Sequence, residues 1–533
     1  MSLYNRSSLI QVPSLYKDGT LVSTIPEDRS GDFTVARGSN LAATRVGEDG
    51  YIKKGYENLL LQSNTFDTTW SRLSATLNPN QAGYDGTNDA WLLESTTTGY
   101  SRVSQSISIS GVVNASIYVK YINADYLVID FSAGNVAFFN INPSTIGNRI
   151  GTTNLLIDAD ITELNDNWFR CSITFNASTT GSIRYYVAIN DNIKDADIGS
   201  SIYIQDAQLN QGLVAYPYLE TTTAPAQGGL LENTPRLDWS NGVPAVLVEP
   251  SGTQLIPQSE YITIFSNVTP TYNTTDTLSP EGLYNAIKAE ATGSNPRVRS
   301  EYTASDGVYI LSLFAKKGTS SYLKMRAYDR TNNHEATFDL NDGSFSGETT
   351  GVTAHSEDYG NGWYRCAITY TSGISDTGLN YAQAHTSDGS TGNIYVYGYQ
   401  AEFNSYPTSY IPTYGTTQTR SSETISDNFN IPTTATIYNS FYSDVAETVF
   451  VLDQVFDVVE GLNKVAIAFS PTAVKISVGG SIVANATGTY DTSSLTNIQL
   501  GSDNGSDYSN APISGFYVFP EFLTDEELNS LTA

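Results

Sequence analysis

One phrase written twice constrains this chain more than anything else in it. Residues 165–175 read NDNWFRCSITF and residues 360–370 read GNGWYRCAITY, so Cys171 and Cys366 stand in the same Trp-aromatic-Arg-Cys string, 195 positions apart. Three more blocks repeat in the same order. Gln62-Ser63 in NLLLQSNTF matches Gln258-Ser259 in TQLIPQSEYI at an offset of 196. YDGTNDAWLLEST (84–96) matches PEGLYNAIKAEAT (280–292) at the same offset, with Gly86 on Gly282 and Ala90 on Ala286. IYIQDAQLNQGLVAYPYLETT (202–222) matches IYVYGYQAEFNSYPTSYIPTYG (394–415) at 192, with Gln208 on Gln400 and Tyr218 on Tyr410. Ordered blocks whose offset drifts so little mean a duplicated domain of about 165–170 residues.

Between the blocks the pattern has a period of two. SIYVKYINADYLVIDFSAG (116–134) and YILSLFAKKGTSSYLKMRAYDR (309–330) place an apolar residue at roughly every second position, as half-buried strands do. Tyr is abundant at 36, and Gly, Asn and Ser punctuate every segment. Aromatic and β-branched residues favour strands, and Gly, Asn and Ser favour turns. The expectation is an all-β chain: two tandem jelly-roll β-sandwiches, an extended N-terminal segment and a small C-terminal β-sandwich-like unit. The expected boundaries are 1–55, 56–226, a linker at 227–252, 253–425 and 426–533. Trp168 and Trp363 read as packing residues, and the two Cys as small buried residues rather than a disulfide, because equivalent positions of two modules do not meet.

The flanks carry short apolar doublets without long alternation. Residues 1–55 read as an extended segment with small hairpins that packs on a neighbour. Residues 228–250 read as a linker with a turn at Asn241-Gly242. The tail contains NKVAIAFSPTAVKISVGGSIVANATG (463–488), a run of strands and hairpins. Thr524 with Glu527 forms a capping box that opens a terminal helix, whose Leu528 and Leu531 fold onto the sandwich.

Charge narrows the function. The net charge is −28, which repels nucleic acid and anionic membranes, since phosphate is bound mainly by Lys and Arg. No apolar run reaches the ~18 residues that suggest a membrane helix, and the first residues do not read as a signal peptide. The three His, His334, His355 and His385, form no HExxH or HxH pair. GxSxG and P-loop motifs are absent. Two acidic groups have the composition of a glycosidase pair: Asp158, Asp160 and Glu163, and the tail acids Asp525, Glu526 and Glu527. The first reads as a solvated strand edge and the second as the start of a helix. The chain is expected not to be an enzyme.

The twin phrase W-[FY]-R-C-[SA]-I-T, preceded by NLLLQSNTFDTTW and followed by the Gln…Tyr strand, resembles the carbohydrate-binding-module-like jelly rolls of phage virion proteins. IPEDRSGDFTVARGSNLAATRVGEDGYI (25–52) is similar to the start of many phage fibre-like proteins, and ENTPRLDWSNGVPAVLVEPSGTQLI (232–256) follows the same pattern. The tail resembles a short concanavalin A/laminin-G-like unit. The resemblance implies a structural protein on the virion surface (head or tail fibre, spike or decoration), made in the host cytoplasm and released by lysis. It implies attachment to other virion proteins through residues 1–55, a homotrimer, and adhesion to a host glycan.

Two sets of site residues follow. Sugar rings stack on exposed aromatics, and the candidates are Trp91, Tyr100, Tyr121 and Tyr126 in the first module and Tyr302, Tyr322 and Tyr328 in the second. Tyr121 shares a strand face with Ile117 and Val119, which points it at the core. The resemblance also implies a structural Ca²⁺, with Asp85, Asp89 and Asp206 as donors in the first module and Glu281 and Glu402 in the second.

Overall fold

The computed structural model describes all residues except 1, 18, 39–40, 132–133, 143, 151–155, 388, 444–445, 493–496 and 503–510. The fold is all-β with tandem sandwiches, as the repeat requires. The second copy shows the plan most simply, as two six-stranded antiparallel sheets. One runs Ile264–Ser266, Arg297–Ala304, Gly378–His385, Tyr322–Tyr328, Asn333–Asp339, Phe345–Ser346. The other runs Val268–Thr271, Ile287–Ala291, Asn393–Glu402, Gly307–Lys317, Trp363–Ser372, Val352–Asp358. The first copy has the same order, but two of its strands, Gly99–Tyr121 and Trp168–Ala188, run unbroken through both halves and pair from Ser101↔Val187 to Lys120↔Trp168.

Alternation decides which side chains enter the core. In Tyr322–Tyr328, Leu323, Met325 and Ala327 are buried while their neighbours are only half-buried. The first core gathers Leu60, Phe66, Trp91, Phe131, Phe139 and Phe175. The second gathers Ile287, Leu311, Leu313, Met325, Phe338 and Ile368.

The twin phrase is structural. Trp168 and Trp363 are buried, and Cys171 and Cys366 are separate buried thiols. Arg170 Nη2 donates to Ser116 Oγ at 3.1 Å and Arg365 Nη2 donates to Ser312 Oγ at 3.3 Å, one bond made twice. Each Ser borders a β-bulge, and the bulged partner strand carries a left-handed residue, Asp206 (φ 55°) in one copy and Gly398 (φ 64°) in the other.

The flanks do not stand apart as the expected boundaries had them. Leu9–Gln11 pairs with Ile513–Phe519. Tyr16–Lys17, Thr20–Leu21 and Phe33–Ala36 share a five-stranded sheet with Thr424–Asp427 and Ile498–Leu500. From the expected linker, Arg236–Asp238 and Ala245–Leu247 extend the sheet that contains Ile513–Phe519. Leu9, Leu21, Phe33, Val35, Leu237 and Val246 therefore lie in one core with Ile425, Phe469, Ile476 and Val518. The tail is short for a sandwich because three separated stretches of chain build it. The terminal helix Asp525–Thr532 has its capping box, and Leu528 is buried in a cluster with Ala466 and Ala468.

Buried ions tie these stretches together. Arg236 Nε donates to Glu423 at 2.7 Å, and its Nη1 lies 2.7 Å from Glu249. Arg37 and Arg420 join them at 3.3 and 3.2 Å. Between the sandwiches, Val112 N donates to Tyr414 O at 3.2 Å. A side chain on Gly111 would sit 1.3 Å from that carbonyl, so only glycine fits there. Asp158 accepts from Asn273 Nδ2 at 2.9 Å across the same junction. That carboxylate therefore serves contact between the sandwiches. In the tail, Glu527 caps the helix and pairs with Arg6.

Candidate functional site

Two places gather the sequence-derived candidates: the acidic loops at one end of each sandwich, and the outer face of one sheet of the second.

At the first acidic site, Thr87 Oγ1 lies 2.6 Å from Asp85 Oδ1 and also contacts Asp89 Oδ1. Gln205 Nε2 donates to the same two carboxylates at 3.4 and 2.7 Å. Asp206 accepts from Tyr84 OH at 2.9 Å. Burial pushes the Asp206 carboxyl up to about 7, helped by Asp89 and Asp85 and opposed by hydrogen bonds from Tyr84 and Tyr218. Oxygen donors on an irregular loop suit Ca²⁺ in kind. In arrangement they do not: among the described residues no three His, Cys, Asp or Glu side chains converge where one ion could be held.

At the equivalent place in the second sandwich an ammonium group already stands. Asn64, Asp85 and Asp89 correspond to Glu260, Glu281 and Asn285 at the repeat offset of 196. Lys54 Nζ lies 2.8 Å from Glu260, 3.0 Å from Glu281 and 2.6 Å from the half-buried Tyr414 OH, and Lys54 and both carboxylates are buried. Burial opposes its charge, but the two carboxylates outweigh burial and raise its pKa. Tyr397 OH donates toward both carboxylates at 3.0 Å, and Asn285 Nδ2 donates to Glu281 at 2.8 Å. The expected pairing of Glu281 with Glu402 in a calcium site is therefore corrected. Glu281 is neutralised by Lys54, whereas Glu402 accepts from Gln400 at 2.7 Å and from Thr408 at 2.6 Å. The sequence signal for Lys54 was weak, because the Lys53-Lys54 pair in an extended segment reads as solvated.

The Asp206 shift has a testable consequence. Its folded pKa lies above its unfolded value, so between about 4 and 7 the folded state keeps a proton that the unfolded state has lost. Stability from this group is therefore present at low pH and lost as pH rises through 7. Asp206→Asn, which keeps a residue type tolerant of positive φ, should raise the urea midpoint at pH 8 and narrow its gap to wild type at pH 5. A constant gap would refute the assignment to Asp206. Added calcium should leave the wild-type midpoint at pH 8 unchanged.

The aromatic candidates divide sharply. Trp91 is a core residue that donates from Nε1 to Asn64 O at 3.0 Å. Tyr302 is buried and bonds through its hydroxyl to Tyr370. Neither presents a face to a ligand. Tyr121 packs on the first core, as its strand partners required. Tyr126 covers an outer cluster of Val128, Val136, Phe138 and Tyr186. Tyr100 is exposed and stands edge-on to Tyr186 at 6.1 Å.

Tyr322 and Tyr328 lie elsewhere, on the outer face of the sheet containing Gly378–His385. Register builds that face row by row. Arg297, His385, Lys324 and Thr337 stand side by side across four strands. The next row is Arg299, Gln383, Arg326 and Glu335, and the third is Glu301, Tyr381, Tyr328 and Asn333. Tyr328 and Tyr381 stack at 6.0 Å with planes 13° apart, and the Arg299 guanidinium lies 4.5 Å from the Tyr381 ring centre. Tyr381 escaped the sequence reading because only pairing with Tyr328 gives it a role. In the first sandwich the corresponding face is part apolar and part charged: Tyr126 falls on Tyr322 at the offset of 196, Val128 replaces Lys324, and Asp130, which replaces Arg326, pairs with Arg184 and Lys194. The copies share their core and differ on this face.

No protein family matches the chain, and no curated protein matches it. Among solved structures, the N-terminal CBM22-1–CBM22-2 tandem domain of Paenibacillus barcinonensis Xyn10C aligns with 70% of this chain and 100% of its own, at 10% identity and a TM-score of 0.22. At that TM-score the likeness carries no argument about ligand or role.

Proposed function

We propose that this chain is a non-enzymatic virion surface protein of a phage, on a head or tail fibre, spike or decoration, and that its second sandwich binds polysaccharide. One observation carries the binding half: the stacked Tyr328 and Tyr381, with Arg299 against the Tyr381 ring, beside Gln383 on an outer sheet face. A sugar ring has an apolar face that stacks on tyrosine and hydroxyls that pair with amides and guanidinium groups. The virion half rests on the resemblance of residues 25–52, 232–256 and the twin phrase, and the concanavalin-like reading of the tail and homotrimerisation rest on resemblance alone. Because residues 1–37 supply core strands to the third unit, attachment to partner chains falls to what they leave exposed: Tyr4, Leu15 and Tyr16.

The full-length protein on a polysaccharide array should show saturable binding, weakened about tenfold or more by Tyr381→Ala, in keeping with the loss of one aromatic stack in a site. The burial of Trp91 and Tyr302 favours a second reading, in which the sandwiches only pack in a particle. Failure of the folded protein to bind any polysaccharide would establish that reading instead.

A further inference from the structure

The outer face of the second sandwich is charged against the grain of the molecule. The chain carries 27 basic residues against 55 acidic ones. On this face Arg297, Arg299, Lys324 and Arg326 stand among Glu301 and Glu335, with Asp339 at the far end beside Tyr322. Glu335 pairs with Arg326 and lies 3.3 Å from Lys324, and Glu301 lies 3.4 Å from Arg299. Arg297 has no ion-pair partner among the described residues. Four cations against three carboxylates, one of them at the far end of the face, leave a locally positive field on a protein that is otherwise strongly negative.

The shape follows from burial. The central strand, Gly378–His385, holds Gln383 and His385, which are 9% and 7% exposed. The strands on either side raise Arg297 and Arg299 along one edge and Lys324 and Arg326 along the other, all half-buried. Across antiparallel neighbours such side chains stand about 5 Å apart, and along a strand about 7 Å. Two neutral groups thus floor a trough with cationic walls, and Tyr381 and Tyr328 continue it. Two polar atoms here lack hydrogen-bond partners, His385 Nε2 and Arg299 Nε. Unpaired polar atoms at a buried position are costly unless a ligand or water satisfies them. His385 stays neutral: burial first, then Arg326, Arg297 and Lys324, lower its pKa to about 4, with Glu335 alone opposing. A neutral imidazole floor adds no further repulsion between the cationic walls.

We infer that the ligand of this trough is an anionic polysaccharide, one bearing carboxylates or sulfate esters along its chain, whose charges lie between the Arg297–Arg299 and Lys324–Arg326 walls while a sugar ring rests on Tyr381. The inference rests on the glycan-binding reading above and names its substrate class. Guanidinium groups suit it because their planar fork pairs with carboxylate or sulfate oxygens two at a time. The net negative charge disfavours duplex nucleic acid, which presents a longer and denser charge than this short trough can neutralise.

The test uses the full-length protein in binding assays against a polyuronate, a sulfated polysaccharide, a neutral xylan and duplex DNA, at low and high salt. The expected result is binding to the polyuronate or the sulfated chain that weakens with salt and falls at least tenfold in Arg299→Gln/Arg326→Gln. The two anionic arms distinguish carboxylate from sulfate as the preferred group. Arg297→Gln/Lys324→Gln, on the same walls, should show a loss of the same kind, and matching melting temperatures would show that both variants fold. Neutral xylan bound as tightly as either anionic chain, lost in Tyr381→Ala but unchanged in Arg299→Gln/Arg326→Gln, would overturn the charge assignment and leave glycan binding standing. Equal affinity for duplex DNA would reduce the trough to a non-specific cationic patch and overturn the inference. Binding of no polysaccharide would overturn both readings.

Discussion

A chain lacking residues 2–37 should keep its two tandem sandwiches and lose the third. Leu9, Leu21, Phe33 and Val35 are buried in a core otherwise built from residues beyond 236. Burying one such side chain contributes about 1.5–3 kcal/mol. Losing all four removes roughly 6–12 kcal/mol, as much as the whole stability of an ordinary domain. The truncation also strips Leu9–Gln11 from the edge of Ile513–Phe519 and removes Arg37 from beside the buried Glu423. Limited proteolysis should then cut within 426–533 while 56–425 stays protected. Calorimetry should show one fewer transition, or a smaller total unfolding enthalpy. A truncated chain whose tail resists protease as the full chain does would show that the N-terminal strands only decorate a unit that folds without them.

Replacing Lys54 with methionine should cost about 3–5 kcal/mol at neutral pH, the usual penalty for leaving a buried ion pair half broken. Met fills most of the volume, so the loss is electrostatic: Glu260 and Glu281 remain buried with no cation beside them. Burial and the neighbouring Glu281 already push the Glu260 pKa upward in the intact protein, with Lys54 opposing. Without Lys54 that rise is larger, and the folded state takes up protons that the unfolded state lacks. A group with a raised folded pKa loses its stability as pH rises. The penalty of Lys54→Met should therefore grow from pH 5 to pH 8, read as the difference in denaturant midpoint. Adding Glu260→Gln and Glu281→Gln should recover most of the loss and flatten its pH dependence. A penalty that ignores pH, or survives in the triple variant, would mean that something other than the pairing of Lys54 with Glu260 and Glu281 sets the cost.

Much of this is legible in the sequence. The duplication followed from blocks that repeat in order. The strands followed from alternation, because a period of two reports a sheet face directly. The burial of both Cys and both Trp followed from their place in a strand phrase, and the terminal helix followed from its capping box, a purely local device. Short strands were not legible. Tyr16–Lys17 and Thr20–Leu21 are two residues each, too short for any period to show. The role of Leu21 depends on residues some four hundred positions away. Site residues were read least well, because aromatic identity does not tell a core from a surface: Trp91 and Tyr302 turned inward, and Tyr381 became a candidate only beside Tyr328.

What the chain determined by itself is what neighbours in sequence can enforce: strand faces, turns, one helix cap and the fact of two equivalent modules. Tertiary structure alone decided how three separated stretches share one core, why Lys54 stands against Glu260 and Glu281, and how Arg297, Arg299, Lys324 and Arg326 come to face one trough. Those outcomes depend on register between strands far apart in the chain. A register shift of a single residue would turn each of these side chains to the opposite face.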